Sequence, residues 1–312
     1  MRVARGVRAL RGQFRSRCFQ RLERQVAALG IEISAGRRRF RINAPARIIR
    51  RQIQESPLPS IDLNADLGEG FGVWRMGDDA AMLRVVTSAN IACGFHAGDP
   101  DIMARCLIEA KALGVAVGAH VSFPDLAGFG RRALPMSPAE IERAVAYQLG
   151  AAIAVARYVG HKITFVKAHG ALANLAERNA EIASAIARAV VAVDPSLTML
   201  AIARSAQVDA CRCAKMRVAH EVFADRAYTA EGRLVSRSKP GAVIEDAPAI
   251  VARVLKMLET GAIVTRDGAL LETPIDSICV HGDTPHAIDI ACELRTALER
   301  AGWRLHAFAP RE

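Results

Sequence analysis

"SANIACGFHAGDP", residues 88–100, reads as a buried strand running into a helix. Asn90, His96 and Asp99 interrupt it where packing alone would ask for apolar residues. His96 lies between Gly94 and Gly98, and glycine can take positive φ or let another backbone or a ligand come close. A sharp turn there would leave His96 pointing into whatever crevice the strand end faces. Asp99-Pro100 then offers an N-cap and a first-turn proline. Ile102, Met103, Cys106, Leu107, Ala110 and Leu113 form an apolar helical face that stops at Gly114.

The same unit recurs on both sides. From Ser60 onward, short β-prone runs alternate with helices, at 61–67, 86–93, 115–123, 163–169, 198–202, 218–224 and 277–281, with a possible eighth run at 305–308. Ser137-Pro138-Ala139-Glu140 fits a capping box, Asp246 and Gly261 bracket another helix, and Thr284-Pro285 opens the last before Gly302. Strand and helix alternating over about 250 residues imply an α/β fold with a parallel sheet covered by helices. Seven or eight units favour closure as a β/α barrel. An open, doubly wound sheet is the alternative, because periodicity does not fix closure.

Polar residues gather where these strands end. Asp62, Asn64 and Asp66 share one face of the first by alternation, and the second leads through Asn90 to His96. The third presents His120, Ser122 and then Asp125, and the fourth puts Lys167 and His169 on one face. Asp225 and Arg226 follow the sixth, and His281 and Asp283 the last. In a parallel α/β fold the C-terminal strand ends converge on one crevice, where active sites lie. Taken singly, each residue has a plainer role: a histidine can satisfy a backbone carbonyl, and Asp99 and Asp283 suit helix caps. An isolated buried charge costs several kcal/mol unless paired, so the joint pattern favours a site. "GEGFG", residues 68–72, suits either an anion-holding loop or an ordinary one.

Charge is unevenly placed. Residues 1–60 hold 15 Arg and only three Glu, giving +12, so a total of +10 leaves the remaining residues at −2. Such a body does not suggest a nucleic-acid surface. Arg2, Arg5, Arg8, Arg11 and Arg15 oppose Val3, Val7, Leu10 and Phe14 on a helical wheel. That pattern fits a membrane-surface segment, a transit-like peptide, a polyanion-binding arm or a poorly ordered extension. Residues 1–59 are read as the extension and 60–312 as the catalytic domain. No apolar run reaches the ~20 residues of a membrane span. Seven scattered cysteines without a signal-peptide core fit a reducing cytoplasm. There is no G-x-x-x-x-G-K-[ST] loop, G-x-G-x-x-G fingerprint or G-x-S-x-G elbow. An Asp/His set is compatible with a divalent ion, yet no close-spaced signature such as H-E-x-x-H is present, and no metal ligands are assigned.

"IDLNADLGEGFG", "ANIACGFHAGDP", "GAHVSFPD", "VKAHGALAN", "EVFADRAYTAEGRLVSRSKPGAVIED" and "CVHGDTP" resemble, in order, the sequence blocks of the LamB/YcsF family, over residues 60 to 310. The resemblance implies an irregular seven-stranded β/α barrel similar to the glycoside hydrolase and deacetylase superfamily. It also implies ATP-dependent opening of 5-oxoproline to L-glutamate with B and C partner subunits, ATP (with or without Mg2+) being held here or shared with them. In that chemistry Asp66 or Asp62 would act as general base, and Lys167 and His169 would stabilise developing negative charge. His96, His120, Asn64 and Asn90 would orient the lactam, and Arg226 or Arg237 would pair with its carboxylate. Val121 and Ala168 stand where the family is expected to carry proline, and Ala173 where it carries an aromatic, so substrate preference or activity is open to change. A stand-alone metal-dependent amidase or deacetylase and a non-catalytic ligand-binding partner are the competing readings.

Overall fold

The computed structural model describes residues 58–281 and 286–308. The basic stretch 1–57, Asp283 and Thr284-Pro285 lie outside the described residues. In chain order the strands are β1 Ser60–Leu67, β2 Ser88–Ala92, β3 Ala116–Val121, β4 Phe165–Ala168, β5 Thr198–Ile202, β6 Arg217–Phe223, β7 Ala262–Val264, β8 Leu270–Glu272, β9 Ser277–Cys279 and β10 Arg304–Leu305. Strands β1 to β6 pair successively in parallel, β6 pairs with β9, and β9 returns to β1. This closed ring of seven strands leaves no barrel edge to shield and resolves the choice against an open sheet.

Closure divides every strand into two faces. Leu63, Ala65, Leu67, Ile91, Val117, Val121, Val166, Met199, Val222 and Ile278 point outward into the main apolar core, beneath helices that include α1 Asp79–Leu83, α2 Pro100–Leu113 and α3 Pro138–Tyr158. The N-terminal end of the barrel interior is plugged by Ala116, Phe165, Leu200, Ala219 and Ala307, with Phe308 edge-on to Phe165. Gly118 makes room for this plug, since a Cβ there would sit 2.3 Å from the Phe165 ring. Gly118→Ala is therefore expected to destabilise the chain by about 1–3 kcal/mol, the usual cost of overpacking a filled core. Chemical denaturation of the variant against the parent checks it, and an unchanged midpoint would remove Gly118 from this role.

The helix signals act as expected. Asp99 accepts from the amides of Asp101 and Ile102, and Gly114 closes the helix at φ 67°. Ser137 and Glu140 form the reciprocal capping box, and Asp246 and Gly261 flank the helix Ala247–Thr260. Gly94 and Gly98 both adopt positive φ, at 88° and 78°. Two features differ from the expectation. The eighth run forms only the short β10 beside the start of β1, while Phe308 turns into the barrel end instead of extending it. The antiparallel β7–β8 hairpin had no clear signal in the sequence. Among the described residues, no helix is long and apolar enough to cross a membrane.

Candidate active site

Parallel register stacks polar side chains inside the barrel above the plug. Asp66 lies level with Asn90, Asn90 with Gly118, and His120 with Lys167. The deeper layer is inward-turned but closed to solvent. Asp62 accepts from Thr87 Oγ1 and Ser88 Oγ, each at 2.6 Å, and also from Ser277 Oγ. Burial pushes the Asp62 carboxyl up to about 6 although these hydroxyls pull it down. Asn64 donates to Ser277 Oγ at 2.7 Å and accepts from Asn90 Nδ2 at 2.8 Å and Lys167 Nζ at 3.3 Å. Asp62, Asn64 and Asn90 thus brace the reactive layer from below, and none of them lines the cavity above it.

Asp66 is the centre of the next layer. Its Oδ1 accepts from Lys167 Nζ at 3.0 Å and Asn90 Nδ2 at 2.8 Å, and its Oδ2 lies 3.3 Å from His120 Nε2. Burial disfavours its charge, but His120, Lys167 and His281 outweigh that and hold it well below the usual carboxylate range. Lys167 also meets Glu221 at 2.7 Å. Burial acts against its charge too, yet Asp66, Cys279 and Glu221 hold it well above the ordinary lysine value. Asp66 and Lys167 are therefore both ionised near neutral pH, at the bottom of a cavity of about 550 Å³.

That cavity opens at the C-terminal ends of the strands, and its walls are cationic. Asp66, His120, Lys167 and His169 line it below, with Arg131, Arg178, Arg226, Arg233, Arg237 and Lys239 around them and Glu177 and Glu231 as the acidic counterparts. Arg226 is buried, and its guanidinium donates to Val235 O at 2.7 Å and Ala242 O at 3.4 Å. These two donors hold the loop in shape, and Arg237 lines the same cavity. Asp225 pairs with His281 at 2.8 Å beside the same cavity.

The histidines form a tight group behind this wall. His169 Nδ1 lies 3.1 Å from His120 Nε2, and His96 stacks on His169 with ring centroids 3.9 Å apart. His96 Nε2 is 3.2 Å from Glu69 Oε1, itself 3.6 Å from His169 Nδ1. Burial, reinforced by neighbouring imidazoles, pushes His169 down to about 3 and His96 well below the usual histidine value. His96 does not line the cavity, so its contacts are to protein groups. Glu69 and Glu221 are additions to the residues expected. Glu69 carried a usable signal, since it lies between Gly68 and Gly70 much as His96 lies between Gly94 and Gly98. Glu221 stands alone as an acid within an apolar strand, "VAHEVF".

A family model described as the LamB/YcsF family matches residues 61–312. The chain belongs to the LamB/YcsF family. Among LamB/YcsF relatives, the 5-oxoprolinase A subunit of Azorhizobium caulinodans is 56% identical over 253 residues, covering 81% of this chain and 100% of that protein. The 5-oxoprolinase A subunit of Gluconobacter oxydans is 54% identical, covering 80% and 98%. A solved structure, the lactam utilization protein from Thermus thermophilus, superposes with a TM-score of 0.75 at 42% identity, covering 80% of this chain and 99% of that one.

Proposed function

We propose that this LamB/YcsF chain is the A component of a multi-subunit 5-oxoprolinase and hydrolyses the lactam of 5-oxoproline to L-glutamate. The observation that carries the reading is 56% identity along the full length of a protein named for that role. The geometry suits the chemistry. A small anionic lactam needs a polar, cationic cavity with one carboxylate at its base, and Asp66 lies there between Lys167 and His120.

In the reaction, Asp66 takes a proton from water, whose oxygen bonds to the ring carbonyl carbon. The carbon–nitrogen bond then breaks, and the nitrogen receives that proton as it becomes the amino group of glutamate. A positioned carboxylate contributes about 10²–10⁴-fold to such a step. Lys167, whose ammonium is held by Asp66, Asn64 and Glu221, lends positive charge to the end of the cavity where negative charge grows during the attack. Arg237 suits the substrate carboxylate through a two-point contact. ATP would transfer its terminal phosphoryl group to the lactam carbonyl oxygen and leave as ADP; water addition and ring opening would then give the acyl phosphate of glutamate, which a second water cleaves to glutamate and inorganic phosphate. The excess of Arg and Lys on the wall fits such an anionic group, with the nucleotide itself held by the B and C partners or shared with them. Cytoplasmic placement accords with free thiols at Cys93, Cys106, Cys211, Cys213, Cys279 and Cys292.

The test is to combine the chain with B and C subunits, ATP and 5-oxoproline and to quantify glutamate. Glutamate well above the level given by B and C alone is expected. An amount equal to that control would instead make this chain a non-catalytic binding partner, and turnover of an amide by this chain alone would identify a stand-alone amidase.

A further inference from the structure

Glu69, His96, His120 and His169 bring one donor atom each to within 4.8 Å of one another, all buried. Two of the imidazoles are oriented from behind. His120 Nδ1 lies 3.2 Å from Lys167 O, and His169 Nε2 lies 2.9 Å from Phe129 O. A carbonyl only accepts, so these ring nitrogens carry the protons, and a neutral imidazole then presents a bare lone pair on its other nitrogen. Those other nitrogens, His120 Nε2 and His169 Nδ1, face each other at 3.1 Å. Glu69 Oε1 approaches His169 Nδ1 to 3.6 Å, and Asp66 Oδ2 approaches His120 Nε2 to 3.3 Å. Acceptors converging this way repel unless a positive centre sits between them.

We propose that Glu69 Oε1, His120 Nε2 and His169 Nδ1 hold one divalent transition-metal ion, of which zinc is the type. With metal–ligand bonds of about 2.0–2.2 Å, donors around a tetrahedral ion sit about 3.3–3.5 Å from one another. The observed 3.1 and 3.6 Å bracket that spacing. Two imidazoles with a carboxylate select a first-row transition metal over magnesium or calcium, which prefer all-oxygen shells. Backbone carbonyls behind both imidazoles are the usual outer partners of metal-bound histidine. His120 and His169 line the cavity, so an ion has a path in.

His96 has a different part. Its ring is stacked nearly parallel to that of His169, at 11°. An imidazole binds metal in its own plane, and an ion in the plane of His169 would lie on the order of 3 Å out of that of His96, beyond a bond of about 2 Å. His96 instead donates from Nε2 to Glu69 Oε1 at 3.2 Å and positions that carboxylate. The site stands on side-chain geometry alone, whichever reaction the cavity hosts.

The experiment uses the full chain, stripped with a chelator and titrated separately with Zn2+, Co2+ and Mg2+ by calorimetry, with visible spectroscopy for Co2+. One Zn2+ per chain, visible Co2+ bands and no competition from Mg2+ are expected. His169→Ala and Glu69→Gln, each checked for native circular dichroism, should lose stoichiometric binding. His96→Gln should retain it about 10–100-fold more weakly. A stripped parent chain that takes up no stoichiometric zinc would overturn the proposal, and so would a His169→Ala chain that binds zinc like the parent. Glutamate formation is read separately. Zinc uptake without glutamate leaves the metal site standing and ends the ring-opening reading, and glutamate without zinc uptake does the reverse.

Discussion

Asp66→Asn should lower glutamate formation by about 10²–10⁴-fold in the assembled system, the contribution of a positioned general base. The substitution keeps shape and removes only the basic oxygen. It should also leave the barrel intact, because Lys167 retains Glu221 at 2.7 Å and so is not left as an unpaired buried charge. An asparagine oxygen can still accept from Asn90 Nδ2 and Lys167 Nζ, which reach Asp66 Oδ1 at 2.8 and 3.0 Å in the parent. Glutamate release with partner subunits present, together with a thermal melt, reads both effects. Turnover near that of the parent would take the base role from Asp66. Asp62 offers no ready substitute, since its carboxylate is engaged by Thr87, Ser88 and Ser277 below the cavity.

Lys167→Met should be the most destabilising change in the barrel interior. Lys167 bridges Asp66 at 3.0 Å and Glu221 at 2.7 Å, and all three side chains are buried. Methionine fills much of the same volume but leaves two buried carboxylates without their shared cation. Removing one partner of a buried pair costs about 3–5 kcal/mol. In a domain of this size each kcal/mol moves the melting temperature by about 2–4 °C, so a fall of roughly 6–20 °C follows. Combining Lys167→Met with Glu221→Gln should recover part of that loss, since one of the stranded charges disappears. Melting curves of the parent, both single variants and the double variant measure this coupling. Equal melting temperatures for the parent and Lys167→Met would show that the ion pair does not hold the layer together.

Much of the site was legible one strand at a time. Alternation placed Asp62, Asn64 and Asp66 on one face, and Lys167 with His169 on another, and both patterns turn inward as expected. The glycines around His96 foretold a tight turn, and both adopt positive φ. What alternation does not carry is depth along the barrel axis. Asp62 and Asp66 look equivalent in the sequence, yet one is engaged by three hydroxyls below the cavity and the other meets its floor. Arg226 and Arg237 looked equivalent for a similar reason, yet two donors of the first are held by the loop carbonyls of Val235 and Ala242.

The amino-acid sequence alone determined the α/β alternation, the count of strands that favours closure, the caps that start the helices and the gathering of ionisable residues at one end of the strands. These are properties of neighbours along the chain, set by side-chain period and local backbone chemistry. The tertiary structure alone decided that the sheet closes, which acids reach the cavity and which imidazole nitrogens confront one another. Those choices depend on register between strands far apart in the chain, such as Asn64 against Ser277, 213 positions away, and on which donors are already satisfied when the strands meet. Only the assembled barrel specifies both.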